Sequence, residues 1–193
     1  MSLAISTLGR CGSKYFLKNL DQNNIKLLFR WNHYYPQEIK KISKKKHSFP
    51  PKNLKVIFLF ADPIEIVLSV KQRERDRGYQ WVWRHFVNLK SDINDYKLIY
   101  ERDALNLERM FDLFYKNHRF ELLTLRYETM HKYEDAISDF IGKDFTFKIK
   151  YQQRPPKLDS TNNIDKDKLI KAYANFSKKI NDAEDIKIWE KVG

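Results

Sequence analysis

Residues 54–60 read LKVIFLF, a run that is apolar at every position except its second, Lys55. Strict alternation would mark a strand with one wet face. An unbroken run of leucine, β-branched and aromatic side chains is what a strand buried on both faces of a parallel sheet requires. Asp62 and Pro63 follow at once, with Glu65 two residues further on. Proline fits the first helical position, where its missing N–H removes no bond, and an acid suits the positive end of a helix dipole. The stretch therefore predicts a buried strand running directly into a helix.

The same order of strand then helix recurs on either side. LAIST, residues 3–7, predicts a strand that stops at the loop GRCGS, and KYFLKNL places Tyr15, Phe16 and Leu20 at helical spacing. IKLLFRW, residues 25–31, predicts a second strand, ended by the loop NHYYP, where Pro36 breaks regular structure. Residues 71–101 pass from the charged KQRERDRG to the aromatic YQWVWRHF, and helices are expected there. From Asp103, a candidate cap, DALNLERMFDLFYKN predicts a helix with Leu107, Met110, Phe111 and Phe114 on one face. FELLTLRY, 120–127, predicts a fourth strand, and KYEDAISDFIG, 132–142, a helix stopped by Gly142. After the turn-rich QQRPPKLDSTNN, Leu169, Tyr173, Phe176 and Ile180 form the stripe of a last helix. Strands alternating with helices predict an α/β fold with a mainly parallel central sheet flanked by helices, whose ligands bind beyond the carboxyl ends of the strands.

A chain of 193 residues accommodates one domain with a small appendage, here an α/β domain over 1–160 and a C-terminal helical extension over 161–193 packed on it. Hydrophobic residues at 42%, against only 5 Gly and 6 Pro, exclude a largely disordered chain. No apolar run reaches the roughly 20 residues of a membrane span. MSLAISTLGR has no secretory pattern. Cys11, the single cysteine, leaves no partner for an internal disulfide or a cysteine-rich zinc site, which points to a reducing, cytoplasmic setting. Lys and Arg outnumber Asp and Glu by 37 to 25, a net charge of +12. Such an excess calls for an anionic partner: nucleic acid, a phosphorylated cofactor, an acidic glycan or an anionic membrane. The densest run, KKISKKKH at 40–47, reads as a solvated loop.

Chemistry concentrates in TLGRCGSKY, residues 7–15, between the first strand and the first helix. A small-residue loop there can aim backbone N–H groups and a helix N-terminus at a phosphate, with Arg10 and Lys14 adding charge and Gly9 and Gly12 permitting the tight path. The Walker A order is absent, because Ser13 precedes Lys14 instead of following it.

TLGRCGSKY also resembles the 5′-phosphosulfate loop of the P-loop sulfotransferases. FLFADPIEIVLS, 58–69, is similar to the motif with which that family binds the 3′-phosphate of 3′-phosphoadenosine 5′-phosphosulfate (PAPS), and LLTLRYETM, 122–130, to its later strand ending in Arg-Tyr-Glu. The three occur in the family's order, between residues 3 and 145. The resemblance implies a three-layer P-loop NTPase-like fold, PAPS as cofactor, adenosine 3′,5′-bisphosphate as product and no metal. By the same resemblance Arg10 contacts the 5′-phosphate and the bridging oxygen, where charge accumulates as the sulfonate leaves. Gly12 and Ser13 match the backbone cradle, Cys11 and Lys14 are cofactor-binding positions where the family has hydroxyl residues, Tyr15 stacks on adenine, Tyr127 lines the adenine pocket, Ser69 serves the 3′-phosphate and Glu128 orients structure.

Ala61 stands where the family carries an arginine on the 3′-phosphate. Arg73, Arg75 and Arg77, or the later Arg154 and Lys157, are the candidates to restore that charge; Arg154 is taken as the cofactor contact. Sulfonyl transfer to a hydroxyl or amine needs a general base. His33, in RWNHYYP, corresponds to a histidine after the family's second strand and is the expected base, with His85 as understudy. Trp81, Trp83, Tyr34 and Tyr35 either line an acceptor site or belong to the core. Two other readings stay open: a non-catalytic binder of nucleic acid or another polyanion, suggested by the charge and interleaved aromatics, and a degenerate nucleotide-binding P-loop protein.

Overall fold

Four strands form one open sheet in the order β1 (Ser2–Thr7), β2 (Leu54–Phe60), β3 (Glu121–Arg126), β4 (Ile186–Trp189). β1 to β3 run parallel and β4 runs antiparallel at the edge beside β3. The computed structural model describes residues 2–9, 11–28, 35–39, 53–151, 157 and 163–192. The fold is α/β, with a mostly parallel sheet flanked by helices, and it divides into two units.

The first unit comprises Met1–Phe60, Asp112–Gln153 and Asp185–Gly193, and holds the whole sheet. LKVIFLF is β2, with Val56 to Phe60 fully buried, as a strand covered on both faces must be. Its one charged side chain does not interrupt it. Lys55 donates to Phe140 O at 2.7 Å and pairs with Glu121 across the β2–β3 register at 3.2 Å. Thr7 pairs with Leu59 and Phe60 with Arg126, so the carboxyl ends of all three parallel strands open on one edge. Helix α1 (Ser13–Gln22) buries Phe16, Asn19 and Leu20, and residues 36–39 form a helical turn, α2. Near the end of the first unit's middle segment, α6 (Glu134–Ile141) buries Ile137, Phe140 and Ile141. It stops at Gly142, whose φ of 70° is the left-handed geometry that favours glycine at a helix end.

The second unit comprises Ala61–Phe111 and Arg154–Glu184. Asp62 accepts from the N–H groups of Ile64 and Glu65, and Pro63 opens α3 (Pro63–Arg77). The charged and aromatic middle resolves into the end of α3, then α4 (Tyr79–Asn88) and a 3₁₀ turn over Ile93–Leu98. Asp103 caps α5 (Leu107–Phe114), accepting from Glu108 N–H at 2.9 Å. Helix α7 (Asn163–Asp182) buries the stripe Leu169, Tyr173, Phe176 and Ile180. Within the unit Tyr173 donates to Arg102 O at 2.9 Å and Phe176 meets Phe111 at 5.8 Å.

Two elements differ from the sequence expectation. Residues 25–28 of the expected strand IKLLFRW are not a strand, and 29–31 lie outside the described residues. Ile25 turns back to close α1, its N–H donating to Leu20 O, and Leu28 N–H donates to Leu3 O, while the register of β1 pairs it with β2. Ile25 is buried at the helix end, and a contiguous apolar run cannot distinguish that use from a strand. In the other direction β4 was not foreseen. IKIW is only four residues long and half exposed, too short a run to outweigh the helix preceding it. Among the described residues no helix is long and apolar enough to cross a membrane.

Candidate functional site

Immediately beyond Thr7 the chain keeps contact with β2 for one more residue, Leu8 N–H donating to Leu59 O at 3.0 Å, and then leaves the sheet. Gly9 N–H turns onto Thr7 Oγ1 at 3.1 Å. Cys11 points inward, fully buried, its thiol donating to Leu59 O at 3.3 Å. Burial pushes that thiol up to about 12, so it stays neutral and is no nucleophile. Only the backbone of Cys11 is left to face a ligand.

Gly12 is the N-cap of α1, with φ 71°, and no side chain caps the helix. Phe16 N–H closes the first turn by donating to Gly12 O at 3.1 Å. Among the described residues the N–H groups of Gly12, Lys14 and Tyr15 have no hydrogen-bond partner. The first turn contains no acid, and Lys14 is exposed on it. Open N–H groups, the positive end of a helix dipole and a lysine together favour an anion.

Against this loop lies a cluster of rings from the far end of the sheet edge and the segment after α6. Tyr127 N–H donates to Phe60 O at 2.8 Å, extending the β2–β3 ladder, and its ring rests on Gly12. Tyr151 meets Tyr127 at 5.8 Å and Tyr15 at 6.0 Å, both edge-on, and stacks on His131 at 4.5 Å. Tyr15 in turn stacks on Phe147 at 5.5 Å, its hydroxyl donating to Ile149 O at 2.9 Å. Burial, then the neighbouring Tyr127, Glu128 and Tyr15, push the Tyr151 hydroxyl up to about 12. Burial and Tyr127 likewise raise Tyr15. Both phenols are therefore neutral donors at ordinary pH, with flat faces suited to a planar ring.

The structure thus brings together Cys11, Gly12, Ser13, Lys14, Tyr15 and Tyr127 of the expected site. Arg10, His33 and Arg154, with Tyr34, lie outside the described residues. Ser69 belongs to the second unit, where it is buried on α3. His85 is buried in the same unit and stacks on Trp81 at 5.0 Å, so it packs within α4. Arg73 pairs with Asp76 and Lys157 with Glu65, each at 3.4 Å. Tyr35 is buried and Trp83 is exposed.

Sequence reasoning missed Tyr151, His131 and Phe147. They lie outside the resembling motifs, in stretches with no periodicity, and what seats the segment is the pair Asn19 and Asn23 on α1. Ile149 N–H donates to Asn19 Oδ1 at 2.9 Å, and Asn23 Nδ2 to Thr146 O at 2.8 Å. A buried asparagine on the apolar side of a predicted helix was the available signal.

The chain matches no protein-family model, no curated protein and no solved structure.

Proposed function

We propose that the chain is a small sulfotransferase, of the three-layer P-loop type, that takes PAPS and passes its sulfonate to a hydroxyl or amine acceptor. The observation that carries this reading is the placement of Tyr15, Tyr127 and Tyr151 beside the unpartnered N–H groups of Gly12 and Lys14. One end of such a site suits phosphate, and the other suits a flat heterocycle, which is the layout of an adenosine phosphate. In the reaction, the acceptor oxygen or nitrogen attacks sulfur in line. The S–O bond to the 5′-phosphate breaks, adenosine 3′,5′-bisphosphate leaves and the acceptor proton passes to a base. In this reading Arg10 neutralises the leaving phosphate and His33 takes the proton, as the sequence resemblance suggests.

A thermal-shift titration with adenosine 3′,5′-bisphosphate tests the reading. Saturation at about 100 times the dissociation constant adds roughly 2.7 kcal/mol of stability. Tyr127→Ala should remove most of that shift. A chain that shows no shift at millimolar ligand is no PAPS enzyme. The net charge of +12 favours a second reading, a polyanion binder. Steeply salt-dependent affinity for RNA or DNA, with no effect of the bisphosphate, would select it.

A further inference from the structure

The second unit has an apolar stripe that its own packing leaves bare. Helix α4 buries Val82, His85 and Phe86, and its C-cap Leu89 is buried too, whereas Tyr79, Trp83 and Val87 remain 55%, 49% and 46% exposed. Four-residue spacing, at about 100° per residue, keeps the three within an arc of about 80°. Tyr79 is braced from inside by the edge of Tyr96 at 6.3 Å, which holds it outward. Exposed Arg84 flanks the stripe, and exposed Arg75 and Arg77 end α3 just before it. Lys71 and Arg73 on α3 are paired with Glu74 and Asp76. Arg77 and Arg84 enter no ion pair among the described residues.

Size and charge together choose the occupant. The bare part of these three side chains is on the order of 300 Å², well short of the ~800 Å² that each partner of a stable protein complex contributes. A bilayer surface needs no such matched area. A short helix lying in its plane, with Trp and Tyr at headgroup level and arginines on lipid phosphates, binds through a few side chains. The +12 charge supplies the longer-range attraction to an anionic leaflet.

We propose that α4 docks this protein on an anionic lipid surface, with Trp83 inserted between Tyr79 and Val87 and with Arg77 and Arg84 on the headgroups. This surface belongs to the second unit and does not depend on the sulfotransferase reading.

Flotation of the full chain with phosphatidylcholine vesicles, with and without phosphatidylserine, tests it. Binding should require phosphatidylserine and weaken with salt. Trp83→Ala should lower the partition coefficient about tenfold or more with an unchanged melting temperature, and Trp83→Phe should retain most of it. The pair Arg77→Ala and Arg84→Ala should weaken binding more than Lys168→Ala with Lys171→Ala, which removes equal charge from the exposed side of α7. The proposal fails if the wild type does not float, if Trp83→Ala floats as well as wild type, or if the α7 pair matters as much. A concentration-dependent dimer abolished by Trp83→Ala would assign the stripe to a second copy and overturn it.

Discussion

The ring of Tyr127 fills the space that any side chain on residue 12 would need: a Cβ added to Gly12 would lie 1.8 Å from Tyr127 Cε2 and 2.1 Å from Cδ2. Glycine is thus required twice, by a φ of 71° and by this ring. The contact joins the end of β3 to the start of α1, and so fixes where the open N–H groups point.

Gly12→Ala should therefore cost about 2–4 kcal/mol, the left-handed backbone supplying about 1–2 and displacement of the ring the rest. In a Tyr127→Ala background the same change should cost only the backbone part, about 1–2 kcal/mol. Urea denaturation of the four proteins measures the coupling. Equal costs in the two backgrounds would show that the ring yields freely.

The parts of this architecture that could be read from sequence are those written in continuous patterns. LKVIFLF specifies a doubly buried strand, Asp62-Pro63 a helix start, and the Leu169 to Ile180 stripe a helix, because each is a local consequence of burial or capping. The loop 8–12 was legible as a strand-to-helix turn with two glycines. What faces that loop was not, since Tyr151 and His131 reach it through pairings between segments more than 100 residues apart, such as Asn19 with Ile149. The apolar run misled at 25–28 for the opposite reason: its hydrophobicity was real, but Ile25 is buried at a helix end, its N–H on Leu20 O, rather than in a ladder.

Cys11 should be silent to thiol reagents in the native state. With its side chain fully buried, labelling must await local opening, and the rate should fall about 1000-fold or more below that of the unfolded chain. Burial also raises its pKa from 9.0 to about 12. Between those values the unfolded chain releases a proton that the native chain retains, so stability falls as pH rises through that window, by at most about 1.4 kcal/mol per pH unit. Cys11→Ala should remove that part of the slope, which denaturation at pH 8 and above reads directly. Rapid labelling of the folded protein would contradict the inward orientation.

Asp185 anchors the edge strand that the sequence did not announce. Arg126 N–H donates to Asp185 O at 2.7 Å, and its Nε stands 3.0 Å from Oδ1, with the arginine side chain only 16% exposed. Asp185→Ala leaves that guanidinium short of a partner and should cost about 1–3 kcal/mol. Hydrogen exchange should show the loss first in Ile186–Trp189, whose amides lie on the antiparallel edge beside β3. Protection unchanged there would mean that the ladder alone holds β4.

Asn19 is the most informative residue for the proposed site that no ligand would touch. It is fully buried, donates from Nδ2 to Tyr15 O at 3.0 Å and accepts Ile149 N–H at 2.9 Å, while the Tyr15 hydroxyl returns a bond to Ile149 O. One side chain therefore sets both the helix that carries Tyr15 and the segment that carries Tyr151. Asn19→Ala leaves Ile149 N–H without its partner, at a cost of about 1–3 kcal/mol. Asn19→Asp keeps the acceptor but sets a buried carboxylate oxygen against Tyr15 O, so it should cost at least as much. If the aromatic cluster holds adenine, Asn19→Ala should also weaken adenosine 3′,5′-bisphosphate binding about tenfold or more at temperatures where the protein is still folded, because Tyr151 loses its seat. Titration of wild type, Asn19→Ala and Tyr151→Ala separates the two effects. The double variant should bind no worse than Tyr151→Ala alone, whereas additive losses would place Asn19 outside the path by which α1 positions the ring.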